Sequence, residues 1–149
     1  MTRVARLALA LTLLVALAAG SVASVAAGGP KILDARMAGI PTAGLVLDGL
    51  TGGGIPWRID EGHARLFSDG RLQVEVEGLV LATTGTNPVA AGHAVVACGG
   101  TAVATTADVP FSPAGDAEVD AKVTLPSPCL APAVFFTTST NRWLAVTGF

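Results

Sequence analysis

Tyrosine is absent from this chain, and only two histidines and two cysteines occur in its 149 residues. With five phenylalanines and two tryptophans as its whole aromatic stock, it cannot supply the aromatic girdles of an outer-membrane barrel, even though it ends in Phe149. Strand-like runs such as Ala133–Thr138 also fall short of the about 9–11 residues that a membrane-crossing strand needs. Charge is scarce: charged residues are 13% of the chain and the formal net charge is −2, which gives no electrostatic reason to seek nucleic acid or anionic lipid. Beyond residue 30 no run is apolar for long enough to cross a bilayer as a helix. None keeps apolar residues at three-and-four spacing over three turns, so helix signals are missing. No Gly-x-Ser-x-Gly elbow is present. Gly52-Gly53-Gly54 lacks the Lys-Ser/Thr of a phosphate loop and reads as a flexible loop. Asn87 precedes Pro88 and Asn141 precedes Arg142-Trp143, so neither is a glycosylation acceptor.

What is present begins with an address. Arg3 and Arg6 supply positive charge, Leu7 to Ala19 run almost without a polar atom, and small residues follow. That is the three-part plan of a secretory signal peptide. Cleavage is expected after Ala26, at Ser24-Val25-Ala26, with Ser21-Val22-Ala23 as the rival. The arginines are not adjacent, as a twin-arginine signal requires, and no cysteine near the site marks a lipoprotein. An uncleaved Leu7–Ala27 could reach across a bilayer, but its second half is Gly, Ser and Ala, which insert weakly. The expected organisation is a signal peptide over 1–26 and one domain over 27–149, enough chain for a single packed core. Loss of Arg3 and Arg6 takes the formal charge from −2 to −4.

Cys98 and Cys129 both fall in the exported part, where disulfides persist. A bond between them is expected, restricting the unfolded chain by about 3.5–4 kcal/mol in the chain-entropy treatment. Two cysteines alone make a poor metal site.

Strand signals are plentiful, and turns recur at the spacing of a sandwich or barrel. The clearest unit runs from Gly62 to Leu81. A two-residue Asp69-Gly70 loop would oppose Leu66 to Gln73 and Arg65 to Val74, mixing polar and apolar on both faces. A three-residue Ser68-Asp69-Gly70 loop pairs Leu66 with Leu72 and Ala64 with Val74. The other face then holds Phe67 with Arg71, Arg65 with Gln73, and His63 with Glu75. That register separates core from solvent and is the one predicted, with Gly70 in the left-handed position. A second hairpin, Ala94 to Thr106, turns at Gly99-Gly100 and should pair Val96 with Val103 and Cys98 with Thr101. Cys98 then points at an opposite layer, where Cys129 should wait. A third strand, Ala117 to Leu125, follows the turn Ser112–Asp116 and alternates Val119, Ala121, Val123 and Leu125 against Glu118, Asp120, Lys122 and Thr124. Pro126, Pro128 and Pro132 make the Cys129 segment a connection or an edge. The last hairpin joins Ala133–Thr138 to Trp143–Thr147. Toward the front, Lys31–Met37 and Ala43–Leu50 read as strands, Leu50–Pro56 as a glycine-rich loop, and Trp57–Glu61 as a strand start that Gly62 interrupts with a bulge. The fold class predicted is all-β: an antiparallel, immunoglobulin-like β-sandwich of about seven to nine short strands.

Around Asp69 to Leu79, Cys98-Gly99-Gly100-Thr101, Val123 to Ala133 and Trp143, the chain resembles a loose group of uncharacterised secreted all-β bacterial proteins with a cysteine pair. The resemblance covers most of residues 57–149. It implies export and an all-β fold, and it brings no activity and no catalytic residues.

Candidate chemistry is sparse. His63 faces Glu75, with Arg65 and Glu77 nearby, and a histidine–carboxylate pair can serve acid–base work or a metal. The plainer reading of His63, Arg65, Glu75 and Glu77 is an exposed cross-strand patch. His93 has no identified partner. Asp116, Glu118 and Asp120 would line one strand face, but carboxylates on a straight strand diverge where calcium needs them to converge. Trp57 and Trp143 read as core or edge packing. No cofactor and no catalytic residue is expected. The leading functional expectation is a secreted, non-enzymatic binding or structural module acting through a sheet edge or end loops such as Leu50–Pro56 and Ala82–Gly92. Its partner would be an extracellular protein or a cell surface. The alternatives are a hydrolase or metal-dependent enzyme built on His63 with Glu75, or on His93, and a small-ligand carrier with an apolar cavity between sheets.

Overall fold

The computed structural model describes residues 28–148. The expected leader, its cleavage after Ala26, and Phe149 lie outside the described residues. In chain order the strands are β1 (Lys31–Gly39), β2 (Val46–Leu47), β3 (Leu50–Thr51), β4 (Trp57–Arg58), β5 (Glu61–Phe67), β6 (Arg71–Glu77) and β7 (Val80–Leu81). They continue as β8 (Ala91–Cys98), β9 (Thr101–Thr105), β10 (Val109–Pro110), β11 (Ala117–Lys122), β12 (Ala133–Thr138) and β13 (Trp143–Thr147). Nine of them form one antiparallel sheet in the order β10-β8-β12-β13-β1-β5-β6-β11, with β9 added beside β8. The sheet curls because β1 serves both halves: Lys31–Arg36 pairs with β5, and Met37–Gly39 pairs with β13. Leu66, Leu72 and Val74 from one half and Val96, Phe136 and Leu144 from the other belong to one core cluster. The all-β, antiparallel, layered architecture agrees with the alternation of the sequence.

The β5–β6 hairpin has the predicted register, with Leu66 opposite Leu72, Ala64 opposite Val74, Arg65 opposite Gln73 and His63 opposite Glu75. Gly70 sits at φ 87°, donates its N–H to Phe67 O at 2.9 Å, and leaves no room for a Cβ against Val123 O. Glycine is thus required there by conformation and by space. β11 extends this half, pairing Val119 with Val74. The final hairpin has the expected bounds.

Four local expectations need correction. Gly62 is not a bulge, since it pairs in register with Val76. The interruption falls two to three residues earlier, at Ile59-Asp60, and Gly62 is small because a Cβ would stand 3.0 Å from that of Met37. Ala43–Leu50 is not one strand, because Asp48 and Gly49 take φ 50° and 79° and turn a tight β2–β3 hairpin. Asp-Gly is a hairpin-turn pair. Leu50–Pro56 is not a loose loop: Gly52 and Gly53 are buried, Gly52 pairs in parallel with Trp143, and Gly53 N–H donates to Trp143 O at 2.9 Å. Val96 faces Ala104, not Val103, because a bulge between Val96 and Ala97 leaves Val103 without a β8 partner.

Cys98 and Cys129 are disulfide-bonded, with Cα atoms 5.1 Å apart. Cys129 sits on the proline-stiffened connection from β11 to β12, as its prolines predict. The bond and the 2.6 Å hydrogen bond from Gly99 N–H to Leu130 O tie that connection to the β8–β9 turn.

Candidate functional site

The predicted polar patch lies on the outward face of β1, β5, β6 and β11. Cross-strand register fixes its rows: Arg36, His63, Glu75 and Glu118 stand in one, and Asp34, Arg65, Gln73 and Asp120 in the next. Glu61 opposes Glu77 at the margin. His63 stands opposite Glu75, but the carboxylate its Nε2 reaches is that of Asp34, with Oδ1 at 2.5 Å. Asp34 also pairs with Lys31. The Lys31 ammonium first, then His63, holds the Asp34 carboxyl below the ordinary aspartate value. Shallow depressions of about 90 and 210 Å³ open on this face, both lined by His63, Arg65 and Glu75. Among the described residues no three His, Cys, Asp or Glu side chains are grouped to hold a metal ion. Exposed ion pairs of this kind are screened by solvent and contribute little to stability. Asp116 does not join the Glu118–Asp120 row. Its Oδ1 accepts from Gly78 N–H at 3.1 Å and its Oδ2 from the Ser112 hydroxyl at 3.1 Å, so it closes the turn before β11.

His93 has the partners that the sequence did not disclose. It is buried, with Nδ1 2.7 Å from Asp108 Oδ1 and Nε2 2.9 Å from Asn141 Oδ1. Hydrogen bonds from His93, then Ser139, keep the Asp108 carboxyl below its ordinary value. Serine, aspartate and histidine are therefore together, but the carboxylate lies between the other two. With both ring nitrogens committed, His93 has none left to take a proton from a serine, whereas a nucleophile–base pair requires that contact. The set clamps the β12–β13 turn to β8 across 48 residues of sequence, a separation no local motif reveals. The two histidines thus address different carboxylates.

A second place is built from the two end loops. β4 and β7 pair Trp57 with Leu81 and Arg58 with Val80, which brings the segment before Trp57 against the segment after Leu81. Ala82 N–H donates to Pro56 O at 3.0 Å. Asn87 braces the second loop: its amide nitrogen donates to Val89 O at 2.8 Å and Ser112 O at 2.7 Å, and its oxygen accepts from Val89 N–H at 2.8 Å. Between the loops lies a depression of about 250 Å³ lined by Trp57, Leu81 and Leu144 among its apolar residues, with Ile55, Pro88 and Arg142 also on its walls. Ile55 is 44% exposed, one of few large apolar side chains left in solvent. Trp57 is held by a stacked contact with Phe111, ring centroids 6.4 Å apart. Trp143 is wholly buried, its indole N–H donating to Leu45 O at 3.1 Å. Neither tryptophan is a free platform.

Comparison of the chain with known protein families, curated proteins and solved structures gives no match.

Proposed function

We propose that the protein is an exported, non-enzymatic binding module, immunoglobulin-like in layout, that grips an apolar side chain of an extracellular partner in the cleft between its end loops. The one apolar depression at which Gly53, Gly54 and Ile55 of the first loop meet Pro88 of the second, closed on its third side by Thr140 and Arg142 of the β12–β13 turn, carries this reading. Pockets that enclose whole small ligands run about 300–1,000 Å³. A depression of about 250 Å³ suits one side chain of a larger partner, the geometry of an anchor residue in a protein interface. The Cys98–Cys129 bond is compatible with export. Likeness to the loose group of secreted bacterial proteins points the same way.

The test uses the protein immobilised with its disulfide intact and offered envelope and medium fractions of its source cells. Ile55→Asp places a charge at the cleft wall, and Glu75→Gln alters the polar face instead. Retention that Ile55→Asp abolishes and Glu75→Gln leaves unchanged is the expected result. Retention lost only in Glu75→Gln would move the site to the charged face.

A further inference from the structure

The two margins of the sheet are unlike. β11 exposes Glu118, Asp120 and Lys122, the charge that protects most natural edges from pairing with other chains. At the other margin β10 (Val109–Pro110) and β9 both pair with β8; Pro110 guards the β10 stretch, whereas β9, which among the described strands pairs with β8 alone, has no such guard. From Ala94 to Ala107 the chain holds no charged residue and no proline. Thr101, Ala102, Val103 and Thr105 are exposed, and Val103 is 38% exposed. The bulge that separates Val103 from β8 is itself a device that can spoil an edge, yet here it sets an apolar residue outward. Read in either direction, β9 is the same: Thr-Ala-Val-Ala-Thr.

We infer that β9 is a self-pairing edge, which joins the β9 of a second copy of this chain antiparallel about a two-fold axis through Val103. On that axis Val103 meets Val103, each Thr101 meets Thr105, and each Ala102 meets Ala104. Every cross-strand pair is like with like and uncharged. Thr–Thr and β-branched pairs are favourable, and directly opposed like charges, which would forbid the arrangement, are missing. A two-fold contact uses the same patch on both partners and closes at two copies, so it makes a dimer and not a fibre. Five residues of strand make a small interface, so the dimer belongs to the weak class. The second copy is favoured over an unrelated extended peptide because the strand is its own complement in both sequence and charge.

Sedimentation equilibrium of the disulfide-intact protein over a wide concentration range tests this. A reversible monomer–dimer equilibrium is expected. Val103→Lys, which sets two ammonium groups face to face on the axis, should weaken it by at least about tenfold with circular dichroism unchanged. Val103→Cys should yield a covalent dimer on mild oxidation, whereas Thr124→Cys, exposed elsewhere, should not. If Val103→Lys misfolds, the cysteine pair alone decides. A protein that stays monomeric throughout overturns the inference, as does a dimer that survives Val103→Lys without a Val103→Cys crosslink, or an edge that captures only foreign extended peptides.

Discussion

The half of the sheet made by β5, β6 and β11 and the half made by β8, β12 and β13 follow opposite rules. In β6 burial alternates residue by residue, with Leu72, Val74 and Val76 inside and Arg71, Gln73, Glu75 and Glu77 in water. In β13 all five residues are buried, and β8 and β12 are buried along nearly their whole length. A strand that reads apolar without alternation must be covered on both faces. One cover is the segment from Ile40 to Gly53: the Trp143 indole donates to Leu45 O, and Gly52 and Gly53 bond along its backbone. One half therefore offers solvent a polar surface, and the other hides its second face under a strap. Where the strap ends, the cleft begins.

Truncating an outward residue in each half should break this comparison most visibly. Trp143→Ala removes the largest wholly buried side chain among the described residues and leaves Leu45 O with the Gly52 N–H as its one remaining donor there. The expected loss is about 3–5 kcal/mol, read as a lower urea midpoint. Gln73→Ala on the polar face should stay within about 0.5 kcal/mol of the parent. Equal losses would mean that the strap does not bear on β13 as described.

Two glycines sharpen the contrast at smaller cost. At Gly52 a Cβ would collide with Ile40 Cδ1 and stand 3.3 Å from the Trp143 ring. Gly52→Ala should cost about 1–3 kcal/mol by overpacking and shift the emission of Trp143. Gly99 has open space around it but φ 62°. Gly99→Ala should cost only the left-handed backbone strain, about 1–2 kcal/mol, with tryptophan emission unchanged. A Gly52→Ala protein with parental emission would mean that the strap shifts freely.

The charged half was the more legible one for the same reason that it is simple. Alternation in Leu72–Glu77 fixes which face is buried, and the apolar Ala64 and Leu66 set against the polar His63 and Arg65 then select the loop length, so register follows from sequence. The strapped half defeats that logic. Val95, Val96, Phe135 and Phe136 are apolar on both parities, so no face is marked, and the bulge opposite Ala97 slips Val103 out of its expected pair. Gly52-Gly53-Gly54 looked flexible because sequence shows the missing side chains but not the Trp143 and Ile40 that fill their space. His63 and Glu75 were placed opposite each other correctly, but Asp34, the residue that His63 reaches, lies on another strand 29 positions away. The contacts of His93 with Asp108 and Asn141 depend in the same way on tertiary closure. The end segments read as loops from their composition; that they meet at one depression follows from the two-residue β4–β7 ladder, too short to leave a pattern.

The smallest expected effect is a pH dependence at the tip of the legible hairpin. The Arg71 guanidinium, 2.9 Å from Asp69 Oδ2, is the main cause that lowers the Asp69 carboxyl from 3.8 to about 2, aided by the N–H groups of Gly29 and Arg71 against a desolvation that raises it. A carboxyl depressed in the folded state stabilises fully at pH values above its unfolded value. That contribution disappears as pH falls through the folded value. For Asp69 the window runs from about pH 4 down to about 2, and near neutrality its contribution is complete and adds no pH dependence. Asp34 and Asp108, also depressed, act with the same sign. Arg71→Gln should make the urea midpoint fall less steeply across that window because it lowers the neutral-pH midpoint while leaving the value near pH 2 unmoved, and the drop should be small since the pair is exposed and screened. An acid limb with unchanged slope in Arg71→Gln would assign the dependence to Asp34 and Asp108 instead. One of those two lies in each half, so Lys31→Gln, which removes the leading partner of Asp34 only, then separates the polar face from the strapped one.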